Sequence, residues 1–462
     1  MLRSAFLLFV FAVACATSPA ASAREFQPCR DAGDFPALAG TWCAESVVPL
    51  QPAKATDEAA TVTLFVRKFP ALGVRRSRGQ VWLIAGGPGE SGASLYPALA
   101  AYRAAFSGYD LMVPDHRGTG FSSKLCPVEE SPDSADGIAL AGAEWGGCIG
   151  AMHRDVARSH SFTITNAAHD LGTLITRHRT RGKVYVYGVS YGTQLVARMM
   201  QLAPAKLDGI ILDGLVPPET APQWDLSRRT EIVDAVGRSL LSPEQLQRYR
   251  SLLAQSEPAW LENVPGGDLR RLLGSLLNIP SARDRIPQII DGLSNENVAP
   301  LKAALADAAS LSSALSLYPQ SPPSLPLVML ISGSENNERR DISQDKVSAE
   351  AKDALFTSAL PGLLVNSPAP LYQRDAAFGK LPQKMPRTLV VHGTLDPNTP
   401  YEGALEHVKL LAAVGDVQVA TVERGAHFLA LFAPECFAGA VSAFVGRDAV
   451  PDRCTEPEPS GE

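Results

Sequence analysis

Val184-Tyr185-Val186-Tyr187-Gly188-Val189-Ser190-Tyr191-Gly192 is the stretch on which the reading of this chain turns. Its first four residues are β-branched or aromatic and read as a buried strand, and helix-forming residues from Gln194 to Met200 follow at once. Strand, sharp turn and helix succeed one another with a serine at the apex. Small residues are needed on both sides of such a turn, because side chains there collide with the neighbouring strand and helix. The spacing Gly-x-Ser-x-Gly is weakly specific alone. Its strand-to-helix context makes Ser190 a candidate nucleophile, raised at the carboxyl edge of a sheet.

A serine hydroxyl needs a base, a group to orient the base, and donors for the oxyanion. Upstream, Val81 to Ala85 reads as a strand running into Gly86-Gly87-Pro88-Gly89, a loop whose backbone can approach a ligand closely. The N–H groups of Gly87 and Tyr191 are the expected oxyanion hole. A phosphate cradle at this loop would want Gly-Lys-Ser or Gly-Lys-Thr, which is absent. Downstream, Arg387 to Val391 is a late strand, followed by His392-Gly393-Thr394-Leu395-Asp396, and Val417 to Val422 is the last strand, followed by Gly425-Ala426-His427. Asp396 and His427 therefore each fall just past a strand, in the chain order serine, acid, histidine that this architecture requires. His407 also follows Asp396, but it lies in an expected helix from Tyr401 to Ala413 and reads as a helix-surface residue. In this scheme His427 takes the proton of Ser190, Asp396 orients the imidazole, and water later hydrolyses the acyl-enzyme. No cofactor and no metal is called for.

Further strands are expected at Thr61 to Phe69, Leu111 to Pro114 and Gly209 to Leu212. Strands alternating with crossover segments imply an α/β architecture, a mostly parallel central sheet with helices on both faces. Thr61 to Phe69 alternates in part and precedes the first crossover, so it is expected as an antiparallel edge. From Gly214 to Pro386 the strand signals stop and helical pieces take over, as in an inserted helical cap. Ser242-Pro243-Glu244-Gln245 is a helix start with cap residue, proline and reciprocal glutamine, followed by Leu246, Tyr249, Leu252 and Leu253 on one face. Asp268 opens a similar segment striped by Leu269, Leu272, Leu273, Leu276 and Leu277. These stripes are packing faces. The expected organisation is a leader over 1–23, an N-terminal core over 24–216, the cap over 217–385, a C-terminal core over 386–454 and a flexible tail over 455–462.

The chain has 462 residues, 45% hydrophobic and 19% charged, the balance of a folded globular protein and not of a disordered or collagenous one. A formal charge of -6, with no basic block, argues against nucleic acid as a partner. Arg3, the apolar run from Ala5 to Ala14 and Ala21-Ser22-Ala23 form an export signal cleaved after Ala23. The run is far short of the roughly 20 residues that cross a bilayer, and no later segment spans one. The expected location is periplasmic or extracellular. Lipid attachment through Cys15 is the lesser alternative, since Ala12 stands where such a signal usually has leucine. Six cysteines then remain, and an even number in an exported chain suggests disulfides. Of the roughly 15 pairings that six cysteines allow, the sequence-local set is expected: Cys29 with Cys43, Cys126 with Cys148, and Cys436 with Cys454. A zinc site lacks both a Cys-x-x-Cys and a cysteine at ligand spacing from a histidine.

Together these residues resemble the α/β-hydrolase fold, and more narrowly the proline iminopeptidase and tripeptidyl aminopeptidase family of serine peptidases. Gly86-Gly87-Pro88-Gly89, Asp115-His116-Arg117-Gly118-Thr119-Gly120-Phe121-Ser122 and Gly188-Val189-Ser190-Tyr191-Gly192-Thr193 match three linked motifs of that family in order and spacing. The resemblance covers most of the chain outside the leader and cap. It implies that Asp115 and Arg117 are structural supports beside the site. Leu389 to Cys454, with Asp396-Pro397-Asn398-Thr399-Pro400, resembles the C-terminal region of secreted tripeptidyl aminopeptidases and supports the last disulfide. Phe428 departs from the pattern, which often has glycine after the histidine, and the cap matches only loosely. The function implied is an exported serine exopeptidase acting on peptides with a free N-terminus, with a carboxylic-ester hydrolase as the alternative on the same fold. A non-catalytic binding protein on this scaffold predicts a lost triad member, and none is lost. A free α-amine is largely cationic near neutral pH, so a carboxylate should face the pocket. Glu219 and Glu335 are the amine-binding candidates, with a solvated surface acid as the plainer reading of each, since glutamate is mostly exposed. Oligomeric state is not legible.

Overall fold

The computed structural model describes residues 25–54, 60–135 and 137–456. The expected leader, its cleavage site, Cys15 and residues 457–462 of the expected tail lie outside the described residues.

Ten strands form one sheet: β1 (Gln27–Pro28), β2 (Trp42–Pro49), β3 (Thr61–Phe69), β4 (Gly79–Ile84), β5 (Asp110–Asp115), β6 (Lys183–Val189), β7 (Gly209–Asp213), β8 (Thr388–Gly393), β9 (Val417–Glu423) and β10 (Arg453–Thr455). Their spatial order is β1-β2-β3-β5-β4-β6-β7-β8-β9-β10. The β1/β2, β2/β3 and β3/β5 pairs are antiparallel, and every other pair is parallel. Every residue of β4, β5, β7 and β8 is buried, as expected of strands covered on both faces. The strand Thr61–Phe69 is not an edge. It is sandwiched between β5 and β2, in register from Thr61 opposite Pro49 to Lys68 opposite Trp42. The overlooked strand β2 alternates buried and exposed positions along its length, so it carries no continuous apolar run.

Alternate side chains of each strand point to opposite faces. Trp82, Val186, Ile210 and Val390 pack on one face against Leu171 and Leu174 of the Ile164–Arg177 helix and Leu195 and Met199 of the Tyr191–Leu202 helix. Leu83, Tyr187, Ile211 and Val391 pack on the other against Tyr102 and against Phe437 and Phe444 of the Pro434–Gly446 helix. A fully buried side chain of this size contributes about 1.5–3 kcal/mol. The two layers hold the carboxyl ends of β4, β6, β7 and β8 in one row.

Between β7 and β8 the described residues form helices and no strand. This helical insertion has its own core, in which Tyr249, Leu252, Leu273, Leu277, Ile289 and Phe356 are buried. The Pro243–Leu253 helix starts as read, with Ser242 Oγ accepting from Gln245 N and Gln245 Oε1 accepting from Ser242 N. All three expected disulfides are formed, Cys29–Cys43, Cys126–Cys148 and Cys436–Cys454. Two local expectations fail. His407 is buried, because its helix packs inward and its Nδ1 lies 2.7 Å from the Val216 carbonyl. Thr455, the expected start of the tail, pairs in β10, and the carboxylate of Glu456 accepts from the N–H groups of Glu435 and Cys436 at 2.9 Å each. No helix among the described residues is long and apolar enough to cross a membrane.

Candidate active site

β6 ends at Val189, and the chain reverses into the Tyr191–Leu202 helix through Ser190 alone, at φ 56° and ψ -125°. Such a conformation is rare and costly for a residue with a Cβ. It is held by Ser190 N donating to Asp213 O at 3.0 Å and by Ser190 O accepting from Thr193 N at 2.8 Å. A Cβ on Gly192 would stand 2.5 Å from Ile84 O, and one on Gly188 would stand 2.6 Å from Gly192 O. The two glycines are thus fixed by close approach of backbone, as the sequence pattern requires. Gly87, at φ 109°, lies in the loop after β4 on the same side of the sheet as Ser190.

His427 follows β9, and its Nδ1 lies 2.7 Å from Asp396 Oδ2, on the loop after β8. Asp396 is fully saturated: Oδ1 accepts from the N–H groups of Asn398 and Thr399 at 2.8 Å each, and Oδ2 accepts from Thr399 Oγ1 at 2.6 Å. Burial alone would push the Asp396 carboxyl up, but the charge and hydrogen bond of His427, with His392 and Thr399, hold it well below the usual carboxylate range. Burial likewise opposes the charge on His427, and Asp396 more than compensates, so the imidazole is raised above 6.5. This is the pattern of a base stabilised as its cation. Phe428, where the family pattern often has glycine, takes the left-handed conformation at φ 65° and ψ 70°. The backbone beyond it is anchored by Asp213 at the end of β7, whose carboxylate accepts from Leu429 N and Ala430 N at 3.0 Å each and from Tyr187 Oη at 2.8 Å. Burial pushes the Asp213 carboxyl up to about 6 in spite of these donors.

Ser190, Tyr191, Gly87 and His427 line one cavity of about 250 Å³, closed from the insertion side by Trp224, Arg229 and Leu360 among others. Asp396 is buried behind His427. Arg229, itself buried, donates through Nη1 to the carbonyls of Pro397 and Asn398 and so ties the insertion to the Asp396 loop. Asp115 and Arg117 are not among the lining residues. Asp115 accepts from Gly92 N, Phe121 N and Gln320 Nε2, and Arg117 grips Asp170 through two bonds of 2.7 and 2.8 Å.

Glu219 and Glu335 do not line this cavity. Both turn to Arg198 of the Tyr191–Leu202 helix: Glu219 Oε1 accepts from Arg198 Nη2 at 2.7 Å, and Glu335 Oε2 lies 3.6 Å from the same nitrogen. Glu219 also accepts from Gln194 Nε2 and Gly379 N, so its oxygens are engaged by the protein itself. Glu335 accepts from Tyr372 Oη at 3.1 Å, and burial pushes its carboxyl up to about 7. The acid that does line the cavity is Glu90, immediately after Gly86-Gly87-Pro88-Gly89. Its place next to the expected oxyanion loop was the signal that could have found it. Arg229 and Asp213 carried no such signal.

An alpha/beta hydrolase fold family model matches residues 81–434. A serine protease named Hip1 from Mycobacterium tuberculosis is 27% identical over 219 residues, covering 43% of this chain and 40% of that protein, and its Mycobacterium bovis counterpart matches equally. The match thus spans less than half the length of these relatives. Among solved structures, an esterase from Thermogutta terrifontis is 15% identical, with 85% of this chain and 96% of that chain covered and a TM-score of 0.39. Juvenile hormone epoxide hydrolase from Bombyx mori is 15% identical, with 87% and 78% covered and a TM-score of 0.38.

Proposed function

The chain belongs to the alpha/beta hydrolase fold family, and from that premise we propose that it is an exported serine exopeptidase, an aminopeptidase using Ser190, His427 and Asp396. The observation that carries the reading is the 2.7 Å contact of His427 Nδ1 with a buried, saturated Asp396, on a histidine that shares its cavity with the strained Ser190. His427 accepts the Ser190 proton through Nε2 as Oγ attacks the carbonyl, and Asp396 holds the tautomer that leaves Nε2 free. The oxyanion is received by the N–H groups of Gly87 and Tyr191. His427 then returns the proton to the leaving amine. Water, deprotonated by the same imidazole, releases the acyl group and restores the serine.

Peptide bonds are favoured over esters as the substrate by the serine protease relatives, and the insertion residues that close the cavity favour chain ends over folded proteins. Three disulfides support a periplasmic or extracellular location. The test is hydrolysis of one short chromogenic peptide with its N-terminus free and acetylated, by native protein and by Ser190→Ala. Cleavage of the free form alone, abolished by the substitution, is expected. Equal cleavage of both forms would transfer the reading to a carboxylic-ester hydrolase or an endopeptidase.

A further inference from the structure

Glu90 is the one carboxylate among the residues that line the cavity with Ser190 and His427. A Cβ placed on Gly86 would stand 3.1 Å from Ser190 Cβ and 3.5 Å from Glu90 Oε2. The carboxylate and Ser190 therefore both approach the same point beside Gly86. No arginine or lysine of the described residues forms an ion pair with Glu90, in contrast to Glu219 and Glu335. Arg229, the cation on the same cavity, has its Nη1 committed to the carbonyls of Pro397 and Asn398. Burial raises the Glu90 carboxyl, with the charge of His427 and a hydrogen bond from Ser94 opposing. Beyond the His427 imidazole, no cation among the described residues offsets the cost of burying the Glu90 charge.

We propose that Glu90 is the specificity residue that receives the substrate's α-ammonium group, and that the enzyme therefore releases one residue at a time. The inference rests on the aminopeptidase reading above and names the substrate end that reading left open. In an aminoacyl substrate the ammonium nitrogen is only about 2.5 Å from the attacked carbonyl carbon, by standard bond lengths. Each further residue on the acyl side carries it outward by about 3.3–3.6 Å, so a tripeptidyl unit displaces it by about 7 Å. A carboxylate that shares with Ser190 the space beside Gly86 suits the first case. It fixes the acyl group by a charge-assisted hydrogen bond, and an acetylated substrate would leave it unpaired.

The experiment compares native protein with Glu90→Gln, which keeps shape and removes charge. Active-site titration with a fluorophosphonate normalises for folded enzyme. The substrates are an aminoacyl p-nitroanilide, its N-acetyl form, a tripeptidyl p-nitroanilide ending in the same residue, and the N-acetyl aminoacyl p-nitrophenyl ester. Native enzyme is expected to prefer the aminoacyl anilide to the tripeptidyl one. In Glu90→Gln the ratio of aminoacyl anilide to acetyl ester kcat/KM should fall roughly 10- to 100-fold, mainly through KM. An unchanged ratio, with both substrates losing in proportion, would make Glu90 a partner of His427 and overturn the proposal while the aminopeptidase reading stands. Preference of native enzyme for the tripeptidyl anilide would overturn the single-residue assignment. If native enzyme cleaves the acetylated anilide as readily as the free one, the aminopeptidase reading itself fails, visibly and without the variant.

Discussion

Replacing Glu335 by glutamine should change how the stability of this protein depends on pH, by an amount that its surroundings set. Glu335 is 1% exposed, and its carboxyl is displaced upward from 4.5 to about 7, chiefly by burial, with Arg198 opposing. A carboxyl raised in the folded state binds its proton more tightly there than in the unfolded chain. The stabilisation it gives is complete below the unfolded value of 4.5 and is lost as pH rises through about 7. At 1.36 kcal/mol per pH unit, the loss from pH 5 to pH 8 is about 2–3 kcal/mol. Glutamine keeps an acceptor for Tyr372 Oη and has no proton to lose. Any contact it gains or forfeits offsets its stability curve without tilting it. Asp213 is also raised, but it titrates in both proteins and cancels in the difference. Urea unfolding at pH 5, 6, 7 and 8 with disulfides intact should therefore show the variant gaining on native protein by about 2–3 kcal/mol across that range. Parallel curves would refute the assignment of burial as the dominant influence on Glu335.

Two further predictions bear on the proposed catalytic groups. Asp396→Asn removes the partner that raises His427 above 6.5, so kcat should fall by about 10⁴-fold, and the rising limb of the pH profile of kcat/KM, expected above 6.5 in native enzyme, should move to lower pH. Gly214→Ala places a Cβ 2.9 Å from Nδ1 and Cε1 of His427 at a backbone φ of +59°; a displaced imidazole should lower kcat/KM by about 100-fold, against a loss of only about 1–3 kcal/mol in stability from the strained backbone, read by steady-state kinetics and urea unfolding on one preparation.

The parts of this molecule that were legible in the sequence are those whose physics is local. Tyr185 and Tyr187 alternate with Val184 and Val186 in a strand buried from Val184 onward, and Gly188 is demanded by the backbone of Gly192 within the same turn, whereas Gly192 is demanded by the backbone of Ile84 and Ala85 at the end of β4. Asp396 and His427 could be singled out because each lies on the short loop just past a strand, β8 and β9. What escaped depends on contacts between distant segments. The exposed positions of Trp42–Pro49 break its apolar run, and only pairing with Thr61–Phe69 makes it a strand. The role of Asp213 is fixed by Leu429 and Ala430, 216 and 217 positions away. The pairing of Glu219 and Glu335 with Arg198, a residue of the helix that follows Ser190, likewise joins segments that the sequence does not bring together.

That last pairing has a consequence for how the site is held. Arg198 is 2% exposed at its side chain and meets Glu219 after β7, Glu335 at the end of the Leu325–Ser334 helix and, at 3.9 Å, Asp375 before β8. A buried ion cluster of this kind contributes little net stability compared with apolar packing, yet removing one partner leaves the others uncompensated. Its effect is therefore geometric: the helix whose first residue is Tyr191 is pinned to three segments outside the nucleophile turn. The expected oxyanion donor and the insertion residues that wall the cavity are thus positioned by the same guanidinium. An acid freed from that cluster to bind substrate would loosen the helix that begins at the nucleophile. The division of labour between the acids follows from this. Glu219 and Glu335 hold the scaffold, and Glu90, which lines the cavity with Ser190 outside the Arg198 network, is the carboxylate proposed to face the substrate.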